Sequence, residues 1–245
     1  MVSKKEEMEL RKDRILAKVI GQYIRTVAPV GSAFIAQEFG YEVSSATIRN
    51  ILAELEEKGF LTHPHTSAGR VPTQRGYRYY VDHLMDEIQL LREEQEHIRV
   101  EYEREKVELD NLLEMTSVII SDITHYTGIV SVDGWDNRLF CRGTNYVVQY
   151  PDPQNVEKIS NILEALDKKQ KVLEVINKNL VNRIDILIGH EINFEPISDC
   201  SIVVSQYKLK EGHSGRIAVL GPTRMNYQKV VSALMYISEL MEETA

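Results

Sequence analysis

The feature that most constrains this chain is the spacing of its breakers. Pro29 with Gly31, then Gly40, then Gly59 cut the stretch before Phe60 into three helical segments. Ahead of the first break, Ile15, Leu16, Val19, Ile20, Tyr23 and Ile24 recur at steps of three and four, which is one apolar face of a helix expected over Glu6 to Thr26. Pro29 and Gly31 stop that helix. Ser32 is then placed to cap a short helix over Ala33 to Phe39, and Gly40 ends it. Ser44 or Ser45 caps a third helix that runs to Lys58 and closes at Gly59. Helix, short helix, tight turn and capped helix is the order of a helix-turn-helix.

Phase around the third helix, at about 100° per residue, separates two faces. Ile48, Ile51, Leu52 and Leu55 fall on one side, while Ala46, Arg49, Asn50, Ala53 and Glu57 cluster on the other. Arg can bond guanine O6 and N7 in bidentate fashion and Asn can do the same with adenine N6 and N7, so these types suit a major groove. Ser45 and Thr47, near the free amides of the helix start, suit phosphate oxygens. The plainer alternative makes Arg49 and Asn50 solvated surface residues.

The residues beyond Gly59 favour the nucleic acid. "FLTHPHTSAGRVPTQ" reads as a strand, a turn of small residues and a returning strand, after which Thr73 caps a helix beginning near Gln74. This is the pattern of a winged hairpin, with Arg70 expected uncompensated at its tip and Arg75 and Arg78 close behind. Between Gly59 and Val81 there is no carboxylate at all. The whole chain has 29 Lys+Arg against 37 Asp+Glu, a net −8, but residues 1–85 hold 12 against 10, or +2, which leaves −10 for the rest. Only this first third suits a polyanion. His63 and His65, separated by Pro64 and without nearby Cys or acid, read as strand and hairpin residues rather than metal ligands. Tyr77, Tyr79 and Tyr80 read as packing residues of the fourth helix.

Other function classes find less support. Cys141 and Cys200 are too few for a disulfide framework and read as reduced core thiols of a cytoplasmic protein. No apolar run reaches the roughly 18 residues of a membrane span. "LGPTRMNY" lacks the glycine pattern and lysine of a P-loop, and no paired-carboxylate or Ser/His/Asp arrangement stands out, so no enzyme, cofactor or metal is expected.

Longer runs of this sequence are more specific than any short motif. "PVGS", "SSATIRN" and "LEEKGFLTHPHTSAGRVPTQRGYRYYVDHLM" closely resemble the amino-terminal domain of HrcA, the bacterial heat-inducible transcription repressor family. "IGHEINFEPISDCSIVV" and "GRIAVLGPTRMNYQKVVSALMYISELM" resemble its carboxy-terminal, GAF-like domain, and "RLFCRGTNYVVQYPD" its middle. The resemblance implies a repressor of chaperone operons that binds an inverted-repeat operator, the CIRCE element, as a homodimer. It implies release on heat stress and an active form favoured by a GroEL-type chaperonin. Carried over by position, the recognition helix holds Ser45, Thr47, Arg49 and Asn50, and the wing holds Ser67, Gly69 and Arg70; the reading of the residues themselves adds Ser44 at the helix start and Arg75 and Arg78 behind the wing as DNA-binding candidates. One departure is plain. Family members carry a further inserted domain associated with dimer assembly, whereas "GIVSVDGWDNRLFCRGT" passes almost directly from strand to strand, so the insertion is missing here.

A substitute for pairing lies in the middle of the chain. Leu84, Ile88, Leu91, Ile98, Tyr102, Leu109 and Leu112 recur at steps of three and four or their multiples, interrupted by Gln95 and Glu105. They read either as the seam of a long connecting helix that pairs two protomers, or as a helix lying on its own carboxy-terminal domain. Beyond them, "TGIVSV", "RIDILIG", "CSIVVSQYKL" and "RIAVLG" are strand-like, interleaved with helices over Val156 to Leu166, near Lys169 to Asn177 and over Tyr227 to Met241. In the last of these Tyr227, Val230, Val231, Leu234 and Ile237 form the expected buried stripe. The expected fold is therefore α+β: a winged helix-turn-helix over 1–83, a connecting helix with coiled-coil character over 84–115, and a GAF-like α+β domain over 116–245. A ligand-free scaffold is the default for that last domain, and a small-molecule sensor is the alternative.

Overall fold

The computed structural model describes residues 4–40, 43–64, 69–86, 90–103, 109–134, 138–149, 156–177, 182–210 and 212–244. The chain mixes helix and sheet and divides into two compact units, Met1–Asp86 and Glu87–Ala245.

The first unit is built on helices α1 (Lys4–Thr26), α2 (Ser32–Glu38) and α3 (Ser45–Glu57). Ile15, Leu16, Val19 and Ile20 of α1, Ile35 of α2 and Ile48 of α3 are wholly buried, each contributing roughly 1.5–3 kcal/mol of transfer free energy. Gly59 ends α3 as expected. At φ +74 it adopts the left-handed turn in which its N–H reaches Glu56 O at 2.8 Å and that of Phe60 reaches Leu55 O at 3.0 Å. A two-stranded antiparallel hairpin comes next, β1 (Leu61–Thr62) with β2 (Val71–Pro72), paired Leu61 to Pro72 and Thr62 to Val71. Helix α4 (Gln74–Tyr79) starts where expected, since Thr73 Oγ1 accepts the Gly76 N–H at 3.0 Å, and a π-turn over Tyr80–Leu84 continues it. Tyr77 and Tyr80 are buried, and Tyr79 stacks on Phe60 and donates to Asp13 at 3.0 Å, so all three tyrosines pack.

The second unit is a five-stranded antiparallel sheet between two helical layers. Its strands are β3 (Thr127–Val132), β4 (Leu139–Arg142), β5 (Ile184–Ile188), β6 (Cys200–Lys208) and β7 (Ser214–Pro222), in the order β4-β3-β7-β6-β5. Period-two alternation sends Ile129, Ala218 and Val204, aligned across three strands, into one face. There they join Ile162, Leu166, Val172 and Ile176 of helices α7 (Val156–Asp167) and α8 (Lys169–Ile176). The other face carries α6 (Leu109–Thr124) and α9 (Tyr227–Thr244), which pack on β3 and β6 respectively. Tyr227, Val230, Leu234 and Ile237 are fully buried as the stripe required, but Val231 stays half-buried at its edge.

The middle of the chain departs from the expected single helix starting at Leu84. Met85 is extended (φ −77, ψ 118), and the next helix among the described residues is α5 (Arg92–Glu103), followed by α6, which runs on to Thr124. Ile88 lies outside the described residues. Ile98, Tyr102 and Leu112 are buried within the second unit, α5 lies against α9, Lys229 pairs with Glu94 at 2.8 Å, and Tyr102 bonds Thr116 at 2.6 Å. Among the described residues of the seam only Leu91 stays widely exposed, at 69%. The apolar stripe is thus occupied by the unit's own core, the second of the two readings the spacing allowed.

Candidate nucleic-acid interface

Helix α3 presents its amino-terminal half to solvent and buries its opposite side. Ser44 is its cap, accepting the Thr47 N–H at 3.1 Å and sharing a hydrogen bond with the Thr47 hydroxyl at 2.9 Å. Ser45 Oγ is 3.1 Å from Ser32 Oγ, which joins the starts of α2 and α3. Ser32 is therefore not the cap of α2. Gly31 occupies that flanking position and Ser32 already lies inside the helix. Ala46, Thr47, Arg49 and Asn50 are exposed, and Ile48 between them is buried, which matches the phase.

The charges on this helix are segregated. Its first turn holds no acid, whereas Glu54, Glu56 and Glu57 crowd its last turns. Two of those three are drawn off by partners. Glu54 meets Lys12 of α1 at 2.8 Å, and Lys12 also takes Glu9 at 2.9 Å, while Glu9 takes Lys58 at 3.3 Å. Hydrogen bonds from Lys12 and Lys58 hold the Glu9 carboxyl below its ordinary range, and those to Glu54 and Glu9 hold the Lys12 ammonium above it. Arg49 forms no ion pair among the described residues, so the amino end of α3 carries its charge plus the partial positive charge of the free amides.

The hairpin arginines are placed differently from the expectation. Arg70 is neither uncompensated nor at a tip. Its Nη2 lies 2.7 Å from Glu56 Oε2, and its backbone exchanges two 2.9 Å hydrogen bonds with Val30, between α1 and α2. The other oxygen of Glu56 takes His63 Nδ1, just beyond β1. Gly69 runs so close to Val30 that a β-carbon there would sit 2.5 Å from the Val30 carbonyl carbon. Ser67 and His65 lie outside the described residues. Arg75 is exposed, its guanidinium 5.3 Å from the Phe60 ring centroid, and Arg78 pairs with Asp82 at 3.1 Å. Glu56 is the residue that reading the sequence missed. Its signal was its phase, because one turn after Leu52 it stands beside the buried stripe and must face a neighbour.

In the second unit a cavity of about 320 Å3 opens between α7 and the turn before β6, walled by Lys158, Asn161, Glu195, Pro196, Asp199 and Cys200, with Lys158 paired to Asp199. Burial pushes the Cys141 thiol up to about 11 and the Cys200 thiol to about 12, so neither is a thiolate at neutral pH. Among the described residues no group of His, Cys, Asp and Glu is gathered to hold a metal, and no helix is long and apolar enough to cross a membrane.

Comparison with known proteins adds to this geometry. The family model described as the HrcA protein C terminal domain matches residues 132–231. The heat-inducible transcription repressor HrcA of Carboxydothermus hydrogenoformans is 29% identical, across 95% of this chain and 97% of its own length. That of Symbiobacterium thermophilum is 28% identical, with the same two coverages. The first of these alignments runs over 331 positions against 245 residues here, so at least 86 residues of the relative (331 less 245) face none in this chain. A crystal structure of a protein described as hypothetical, at 2.2 Å resolution, superposes with a TM-score of 0.73 at 17% identity, covering 96% of this chain and 97% of that one, a likeness of fold.

Proposed function

We propose that this chain is a heat-responsive transcription repressor of the HrcA family whose first unit is a winged helix-turn-helix for duplex DNA, a reading supported by its likeness to the family model over residues 132–231 and to HrcA repressors at 28% and 29% identity. The observation that carries this reading is the exposed amino half of α3, with no ion pair at Arg49 among the described residues, no acid in the first turn and the opposite side buried. In this role Arg49 and Asn50 reach base edges in the major groove. Ser44, Ser45 and Thr47 hold phosphates at the helix start, and the hairpin with Ser67, Gly69 and Arg70, backed by Arg75 and Arg78, lies along the flanking backbone.

The finer parts of the proposal are that the operator is an inverted repeat of the CIRCE type, that two protomers bind it, and that a GroEL-type chaperonin restores the active form after heat. The 86 or more residues present in the relative and absent here are enough for a domain, which supports the missing insertion and moves pairing to another surface. A repressor of bacterial operons works in the cytoplasm, where its DNA is. The second unit serves as a GAF-like scaffold without catalysis or cofactor. A second reading makes it a small-molecule sensor, favoured by the cavity beside α7. Thermal stabilisation by a metabolite would single that reading out.

The test is salt-titrated binding to a CIRCE-type inverted repeat, its single half-site and a scrambled duplex, with Arg49→Ala beside the parent chain. Preference for the full repeat, lowered by about 1–3 kcal/mol in Arg49→Ala with relaxed base preference, supports the reading. Equal weak binding to all three duplexes contradicts it.

A further inference from the structure

We infer that Glu56 is a positioning residue for DNA binding, its carboxylate setting where the hairpin stands relative to α3; the inference rests on the DNA-binding role proposed for the first unit. One carboxylate serves both arms of the hairpin. Oε2 takes Arg70, which precedes β2, and Oε1 takes His63, which comes after β1. The far side of Arg70 is fixed as well, by the two backbone hydrogen bonds to Val30 and by the close passage of Gly69 over the same residue. The hairpin is thereby tied at one point to the last turn of α3 and at another to the segment between α1 and α2.

This arrangement changes what Arg70 does. Its side chain is only 22% exposed, its charge is matched by Glu56, and its Nε is buried with no hydrogen-bond partner among the described residues. Reaching a phosphate would require breaking the Glu56 pair and re-exposing that carboxylate beside the polyanion. Arg70 therefore supports DNA binding by holding geometry, and Arg49 and Arg75 remain to meet phosphate or base, since neither has an ion pair among the described residues. The sign of one substitution separates this role from simple electrostatics. Removing an acid near DNA ordinarily tightens binding, whereas removing a strut weakens it.

Glu56→Gln keeps the side-chain shape and removes the charge. The full chain carrying it is compared with the parent, Arg70→Gln and the double variant on the inverted-repeat and scrambled duplexes across a salt series, and by amide hydrogen exchange without DNA. Expected are lost protection at the Val30 and Arg70 amides with α1 and α3 unchanged, and affinity for the repeat lower by about tenfold. Scrambled-duplex binding should not fall, the slope against salt should stay that of the parent in both single variants, and the double variant should be no worse than either. If Arg70→Gln does not fold, Arg70→Lys, which keeps the cation but loses the fork, takes its place.

A salt slope smaller by about one in the Arg70 variant, with tighter binding in Glu56→Gln, would overturn the inference and make Arg70 a phosphate ligand that Glu56 withholds. A parent chain that prefers the repeat, beside a Glu56→Gln chain that matches it, overturns the inference alone. A parent chain that does not prefer the repeat overturns the DNA reading and the inference with it, whatever the amides do.

Discussion

At the scale of single residues, proximity of backbone explains what residue type alone leaves open. Gly69 was legible from resemblance as a hairpin residue, but not the reason for it, because Val30 lies on a different element and only the fold brings the two together. A β-carbon at 2.5 Å from the Val30 backbone has nothing flexible to displace. Gly69→Ala should therefore cost about 1–3 kcal/mol of stability in the first unit, read by chemical denaturation of the full chain, before any effect on DNA is counted. Arg49 and Asn50 were legible, since phase alone predicted their exposure. Arg70 was not, because its charge is cancelled by a helix residue that no local pattern links to it. The thiols give a prediction with a sign. Burial raises both above their ordinary value of 9.0, to about 11 and about 12. From near pH 9 up to that range, the unfolded chain gives up protons that the folded chain keeps, so stability falls as pH rises through that window. At neutral pH, alkylation should be slow in the native protein and complete only on unfolding, as mass spectrometry of the labelled chain would reveal.

At the scale of elements, the start and stop signals of α3 and the start of α4 were legible from local chemistry, whereas the start of α2 was not, since Gly31 and not Ser32 flanks it. Ser44 caps α3, Thr73 caps α4 and Gly59 closes α3, each through hydrogen bonds to neighbouring amides or carbonyls. Ser44→Ala should cost about 0.5–2 kcal/mol, and Ser44→Gly only a few tenths, in denaturant melts of the first unit. The middle segment was harder for a physical reason. Spacing of three and four reports that a helix buries one side, and it is silent on what covers that side. Ile98 is fully buried within the second unit. Ile98→Ala should thus lower the stability of that unit by about 2–5 kcal/mol, by the same amount at every protein concentration. A seam between protomers would instead give a loss that shrinks as concentration rises.

At the scale of the whole molecule, topology ties the sheet to the proposed heat response. The strands β3 and β7 pair directly, Ser131 opposite Arg216, although most of the second unit's sequence lies between them. Strand β3 is also the link between β4 and the rest, in the order β4-β3-β7-β6-β5. The centre of the sheet cannot close until chain ends far apart in sequence have met, and the loop entropy for that meeting comes before the reward of pairing. Meanwhile Val203, Val219 and Ile217, buried in the finished fold, stay open to other chains. A unit of this topology is expected to refold slowly and to aggregate when heated in company, which is the behaviour a chaperonin relieves. The expectation is that purified protein, heated past its transition and cooled, recovers only part of its binding to the inverted repeat. Recovery should worsen as protein concentration rises and improve when chaperonin and ATP are present during cooling. Binding titrations before heating, after cooling and after assisted cooling decide it. Full recovery without chaperonin at every concentration would remove folding of this sheet as the sensor of heat, and would leave the response to a change in the proposed pairing of protomers or in a small molecule bound by the second unit.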